Sequence, residues 1–364
     1  MNITEIKKAP LSGMLIPEIA AALNLVPELD KPAPYRAKQI FSWIKQGALS
    51  FTEMTNLPQA FIKTMEDHFV VRGSVVHKKH TGTDNTIKLV IKLSDGVFIE
   101  TVLLPSASEK DLQKNGHFTA CLSTQAGCPM GCVFCKTGSM GFFRNLNCSE
   151  IIEQFLFLND ELKENRISNI VIMGMGEPLL NLPALRKALE ILCGKPGFGI
   201  SKRKITISTA GIRNGIIDIA KNGPETELAI SVASAREELR SVLMPGTVEY
   251  PLSELKEALI IFQETTGRQI TVETVLLGGV NTGNEDAKAL INFAKNLDAV
   301  INIIPWNPVS KLRFNNKKLQ QPAANEIKNF IDMLKAGGLN VTQRYRRGSG
   351  ISGACGQLGA DTNG

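Results

Sequence analysis

Gly127-Cys128-Pro129-Met130-Gly131-Cys132-Val133-Phe134-Cys135 is the stretch around which the rest of this 364-residue chain is read. Its glycines and proline permit a tight loop that turns three thiols toward one point. Cysteine thiolates are the usual ligands of a cube of iron and sulfide, and three of them leave the fourth iron open to a small chelating molecule. Two plainer readings stand beside this one. A zinc knuckle wants a fourth Cys or His close by, and none lies between Cys135 and Cys148. Three structural cysteines are the other, but such residues have no reason to share one Gly/Pro-rich loop.

Outward from that loop, short apolar runs alternate with amphipathic helices. Strands are expected at Asn169–Met173, Lys204–Thr209, Glu227–Val232, Gln269–Leu277, Ala299–Trp306 and Asn340–Tyr345. A helix is expected over Ser149–Leu162, with Ser149 as N-cap and Ile151, Ile152, Phe155, Leu158 and Leu162 along its apolar stripe. The alternation implies a parallel sheet with right-handed crossovers, open or closed into a partial barrel, with its chemistry at the carboxyl ends of the strands. Upstream, Ile40, Trp43 and Ile44 keep one helical face and Pro58 opens a second segment with Phe61, Ile62 and Met65, so a small helical unit comes first. Ile87–Leu93 and Val97–Leu104 then flank Ser94-Asp95-Gly96 as a hairpin. After Arg347 the run Gly348-Ser349-Gly350-Ile351-Ser352-Gly353-Ala354-Cys355-Gly356 reads as a flexible loop bearing one thiol. No repeat of ~20–50 residues is visible, which removes solenoids.

At 43% hydrophobic and 21% charged residues the chain has ordinary globular composition, with room for a large core and an accessory domain. A net charge of +6 favours a polyanionic partner, and nucleic acid is the candidate. No apolar run reaches the ~18 residues of a membrane helix, since Glu18 interrupts Met14–Leu25; no membrane role and a cytoplasmic location are expected. Seven cysteines without a signal peptide argue against a disulfide framework and for metal or thiol chemistry. His68, His77, His80 and His117 are scattered and suggest no metal site, and Cys148 and Cys193 read as structural.

The Cys-x3-Cys-x2-Cys spacing with Phe134 before the last cysteine resembles the radical S-adenosylmethionine (SAM) superfamily. A narrower match runs from about Tyr35 to the end. Cys121-Leu-Ser-Thr-Gln-Ala-Gly-Cys128, Gly141-Phe142 through Arg144-Asn145-Leu146, Gly174-Met-Gly-Glu-Pro-Leu-Leu-Asn181, Ile304-Pro-Trp-Asn-Pro308 and Ala354-Cys355-Gly356-Gln357-Leu358 together resemble the RlmN/Cfr family of RNA adenine methyltransferases. That resemblance implies an α/β fold: a radical SAM partial (β/α)6 TIM-type barrel over residues 86–347, including the hairpin. Residues 1–85 would be a small helical RNA-binding accessory domain, and 348–364 a flexible loop carrying the methyl acceptor Cys355. It also implies a 4Fe-4S cluster on Cys128, Cys132 and Cys135, two SAM molecules per turnover, and SAM contacts at Gly176, Glu177, Ser208, Ser231 and Asn307. Glu177 follows a strand, where a carboxylate suits a cationic amine, although Gly174–Pro178 is equally a plain strand-to-helix turn. Each Ser or Asn could alone be a cap or turn former. The family usually has His where this chain has Ala233, in Ser231-Val232-Ala233.

Adenine C2 and C8 are too electron-poor for simple methyl displacement, so a radical must be delivered. By resemblance, Cys355 receives a methyl group from one SAM, and the 5′-deoxyadenosyl radical from a second removes hydrogen from that methyl. The methylene radical joins the RNA base, Glu100 is the proton acceptor, and Cys121 helps remove the ring proton and frees the product, leaving a disulfide with Cys355. Lys136 and the SAM sulfonium are expected to give Cys121 thiolate character. In strand alternation alone, Glu100 would be solvent-facing, and Cys121 a buried strand residue. The implied partners are 23S ribosomal RNA, with transfer RNA as a second substrate, and a one-electron donor such as flavodoxin or ferredoxin; the chain is expected to be a monomer. Lys202-Arg203-Lys204, Arg344, Arg346, Arg347, Lys78-Lys79, Arg36, Lys38 and Lys45 are the candidate RNA contacts, though each run could be a solvated face. Two other outcomes stay open: radical SAM chemistry on C8 or on a non-RNA substrate, and a non-enzymatic iron–sulfur protein that binds RNA or carries electrons.

Overall fold

The computed structural model describes residues 8–29, 32–105, 117–162, 165–344 and 347–359. Ten strands form one sheet: β1 (Val75–Thr81), β2 (Ile87–Lys92), β3 (Phe98–Pro105), β4 (His117–Cys121), β5 (Arg166–Ile172), β6 (Ile205–Thr209), β7 (Glu227–Ser231), β8 (Ile270–Leu276), β9 (Ala299–Pro305) and β10 (Asn340–Gln343). The first three join antiparallel, and β3 pairs antiparallel with β4. From β4 to β10 every neighbouring pair is parallel and in chain order. Parallel neighbours need long crossovers, and each is a helix: Cys148–Asp160, Leu182–Cys193, Arg213–Asn222, Leu252–Thr266, Asn284–Ala294 and Ala324–Ala336. Six β/α units followed by a closing strand are the expected partial barrel. Its sheet ends at β10 without pairing back to β4, leaving one side open.

The burial of these strands explains their sequences. Ile205, Ile207, Ile230, Val272, Ile301 and Ile303 are fully buried, as β-branched residues between two covered faces should be. Asn147, rather than Ser149, caps the first crossover helix: its side chain accepts from Glu150 N at 3.0 Å while the Glu150 carboxylate accepts from Asn147 N at 2.9 Å. That reciprocal box, worth about 1 kcal/mol, outcompetes Ser149, whose hydroxyl donates to Asn147.

The helical unit consists of Ile16–Asn24, Tyr35–Lys45 and Gln59–His68. Its link to the barrel is polar as well as apolar: the buried Glu153 carboxylate accepts from Ser12 Oγ (2.7 Å), Gly73 N (2.8 Å) and Ser74 N (2.9 Å). The expected boundary between residues 85 and 86 falls inside the β1–β2 hairpin, so the helical unit is shorter than expected. β1 escaped notice because Val75-Val76-His77-Lys78-Lys79-His80-Thr81 is an exposed edge with no apolar alternation. Among the described residues no helix is long and apolar enough to cross a membrane.

Candidate active site

The carboxyl ends of the parallel strands converge on one cavity. Cys128, Cys132 and Cys135 form one wall, Gly176 and Glu177 follow β5, Ser208 lies on β6, and Ser231 ends β7. Asn307 follows β9, and Cys355 comes from the tail. The strand-end rule and the motif spacings therefore meet in one place.

The cluster loop is shaped by backbone. Gly127 has φ +74°, and a Cβ there would fall 2.0 Å from Gly141 O; only glycine allows the hairpin of Gln125–Gly127 with Phe142–Asn145 to close behind Cys128. Trp306 Nε1 donates to Phe134 O at 2.8 Å, tying the loop to the end of β9. The three thiols line the cavity without converging on a point: among the described residues, no three His, Cys, Asp or Glu side chains close on a single ion. A zinc site needs that convergence, whereas a cubane presents separate irons to separate thiolates.

The facing wall of this cavity carries its own marks of a ligand. Asn307 Oδ1 is buried without a hydrogen-bond partner while its Nδ2 donates to Cys355 O at 3.0 Å, so an acceptor in the cavity wall awaits a donor. Gly176 has φ +110°, and a Cβ would meet Gln125 Cβ at 2.6 Å, so the chain passes where no side chain fits. The Glu177 carboxylate accepts from Thr209 Oγ1 (2.6 Å), Ala210 N (2.8 Å) and Leu179 N (3.2 Å). Burial nevertheless pushes its pKa up to about 7. A cationic amine would restore the charge. Ala233 also lines this cavity, so the missing imidazole leaves a gap in the wall itself.

Cys121 ends β4 and shares a second, adjoining cavity with Cys355, Asn307, Arg344 and Arg347. Burial raises the Cys121 thiol to about 12 and the Cys355 thiol to about 11, with the Arg344 guanidinium opposing both shifts. The expected thiolate character of Cys121 is thus not found: burial outweighs the one cation set against it here, Arg344. The Cys355 side chain is nonetheless exposed, at the mouth of the two cavities it lines. The tail expected as a flexible loop is docked: Lys136 N donates to Gly356 O at 2.8 Å, and Gln357 Nε2 to Pro308 O at 2.9 Å.

Glu100 lies apart from both cavities. It is buried on β3, contrary to the solvent-facing alternative, with Oε1 2.9 Å from Lys88 Nζ and Oε2 accepting from Gly359 N at 2.7 Å. Glu273 was missed. It sits on β8, lines the first cavity, and accepts from Ser208 Oγ (3.1 Å), Asn302 Nδ2 (3.3 Å) and Arg344 Nη1 (3.5 Å). A lone acid inside Ile270-Thr-Val-Glu-Thr-Val-Leu276, a strand buried on both faces, was the signal.

The RNA candidates separate. Lys204, Arg344 and Arg347, joined by Arg166, line a third cavity of about 940 Å³ that meets the thiol cavity at Leu104, Arg344 and Arg347. Lys202 pairs with Glu225 and Lys79 with Glu161, Lys45 reaches Pro196 O, and Arg36 lies against Tyr35 and Phe61. Arg346 lies outside the described residues, as does Tyr345 at the end of the strand expected there.

Residues 122–294 match the family model of the radical SAM superfamily, which places the cavity in that class of enzyme. Over 360 residues the chain is 45% identical to the probable dual-specificity RNA methyltransferase RlmN of Treponema denticola, covering 99% of this chain and 98% of that one. The corresponding protein of Treponema pallidum is 40% identical, covering 96% and 97%. A radical SAM methyltransferase from Sphaerobacter thermophilus superimposes with a TM-score of 0.88 at 34% identity, covering 96% of this chain and 99% of that one. The chain belongs to the RlmN family of radical SAM RNA methyltransferases. Membership implies a 4Fe-4S cluster and SAM as cofactors.

Proposed function

We propose that this protein methylates an sp² carbon of an adenosine in RNA, at C2, in 23S ribosomal RNA and in transfer RNA, with Cys355 as methyl carrier. The observation that carries the reading is the shared cavity of Cys121, Cys355 and Arg344 beside the cavity of the three cluster cysteines. Generic radical SAM chemistry needs neither of those two thiols.

When bound on Cys128, Cys132 and Cys135, the cluster supplies one electron to SAM and an open iron for its methionyl group. Glu177 would face the SAM amine, with Gly176, Ser208, Ser231 and Asn307 on the wall of the same cavity. Arg344 opposes the upward shift of the Cys355 thiol, and the fraction that ionises would displace the methyl group of a first SAM and release S-adenosylhomocysteine. Reductive cleavage of a second SAM would supply a 5′-deoxyadenosyl radical able to take a hydrogen atom from the S-methyl group on Cys355. The methylene radical would add to the base, the adduct would give up one electron to the oxidised cluster and its ring proton to Glu100, and the Cys121 sulfur, passing its own proton to the departing methylene carbon, would attack the Cys355 sulfur. That attack leaves a Cys121–Cys355 disulfide and the methylated base.

RNA reaches the thiols through the third cavity, whose Arg166, Lys204, Arg344 and Arg347 hold backbone phosphates. A flavodoxin or ferredoxin supplies electrons to a monomer in the cytoplasm. Mass spectrometry of nucleosides from ribosomal and transfer RNA of cells with and without the protein tests the reading. The expected result is 2-methyladenosine lost with the gene; 8-methyladenosine would overturn the C2 assignment, and no change in either RNA would overturn the substrate.

A further inference from the structure

The antiparallel extension of the barrel grips the tail that carries Cys355 at three points. At the β1–β2 turn, Asp84 Oδ2 accepts from Gly348 N at 2.8 Å. From β2, Lys88 Nζ donates to Ser352 O at 3.4 Å. From β3, Glu100 Oε2 accepts from Gly359 N at 2.7 Å. Lys88 faces Val102 and Val90 faces Glu100 in the β2–β3 register, so the two charges are diagonal neighbours on one face, 2.9 Å apart.

We propose that Asp84, Lys88 and Glu100 are positioning residues, a latch that holds Cys355 in the cavity where it meets SAM. The proposal rests on the reading of Cys355 as methyl carrier. A buried ion pair is tolerated only when its remaining hydrogen-bonding capacity is filled, because desolvation otherwise exceeds the attraction. Here Lys88 and Glu100 are 6% and 2% exposed, and the tail backbone supplies the missing partners, a carbonyl for the ammonium and an N–H for the carboxylate. Pair and tail therefore stabilise each other. Cys355 sits between the grips at Ser352 and Gly359, and a span of so few residues reaches at most ~3.5 Å per residue, which confines its sulfur to the two cavities it lines.

The test uses the full chain with its cluster reconstituted anaerobically, reading alkylation of Cys355 by iodoacetamide and its S-methylation by SAM in the same peptide by mass spectrometry. In Glu100→Ala and Lys88→Met, alkylation is expected to rise about tenfold or more, the shift expected on losing hydrogen bonds to a buried charge. S-methylation should fall while iron content and SAM binding stay unchanged. Glu100→Gln, which keeps an acceptor for Gly359 N, should restore most of the protection. Asp84→Ala, on an exposed turn, should show a smaller rise and carries the test if Glu100→Ala loses its fold. Wild-type alkylation and methylation rates in Glu100→Ala, or in Asp84→Ala if the former does not fold, would overturn the latch; lost RNA product with those rates intact would make Glu100 a proton acceptor alone. If Cys355 is never methylated in the wild type, the carrier reading fails, and the alkylation rates still decide whether the tail is latched.

Discussion

The cluster loop and the Cys355 tail are both glycine-rich segments presenting thiols to one cavity, yet they are held in different ways. Much of the loop closes on neighbours in the chain: Cys135 N donates to Cys132 O at 3.1 Å, Cys128 N to Gly141 O at 2.8 Å, and Ser139 N to Cys135 O at 3.1 Å. The tail closes on partners 264, 264, 259 and 221 residues away, at Asp84, Lys88, Glu100 and Thr137. The loop adds distant ties of its own, Val133 N to Leu243 O at 3.0 Å and Trp306 Nε1 to Phe134 O at 2.8 Å, through backbone and a buried indole. These distant ties of the tail run instead to charged or hydroxyl side chains, and under the proposed carrier role each could be released alone.

The largest effects should separate the two regions outright. Replacing Cys128, Cys132 or Cys135 by Ala is expected to abolish reductive SAM cleavage and lose the iron, measured by iron and sulfide analysis and by 5′-deoxyadenosine formation. Cys355→Ala should retain iron and SAM cleavage while losing all RNA methylation. A triple-Ala variant that keeps its iron would break the comparison at its first term.

A second effect belongs to the SAM wall. The Glu177 pKa is raised to about 7 from an ordinary 4.5, so its contribution to stability is fully present below pH 4.5 and lost as pH rises through 7. At 1.36 kcal/mol per unit this is about 3 kcal/mol. Denaturant unfolding of the cluster-free protein should show that decline, Glu177→Gln should flatten it, and SAM affinity should rise over the same window as the carboxylate ionises. A pH-independent stability in the wild type would show that Glu177 titrates in the folded protein as it does in the unfolded chain.

The smallest effect sharpens the tail side. Arg344→Met removes the cation that opposes burial of Cys355, so a pKa rise of about one unit should slow S-methylation of Cys355 about tenfold near neutral pH. The pH profile of that step should move to the alkaline side. An unchanged profile would assign Arg344 to RNA binding alone.

The same contrast explains what could be read without coordinates. The strand order and the meeting of Cys128, Cys132 and Cys135 with Ser208, Ser231 and Asn307 at one cavity were legible because each depends on spacing or on a strand's end. Cys355 was legible as a thiol in a glycine-rich segment, but its docking was not, since Gly348, Ser352 and Gly359 bond through backbone atoms that carry no sequence signal. Glu100 looked like one polar position in an alternating strand; the tail lying over it makes it buried. Lys202 and Lys79 were equal to Lys204 as basic residues until Glu225 and Glu161 were found beside them.

The central claim is that Cys355 links to the RNA base and Cys121 breaks that link. Incubating Cys121→Ala, carrying its cluster, with RNA, SAM and a reductant should accumulate a protein–RNA species that survives denaturation and disappears on nuclease digestion. Cys355→Ala and the Cys121/Cys355 double variant should form none. Normal turnover by Cys121→Ala, or a crosslink in the double variant, would contradict the two-thiol account.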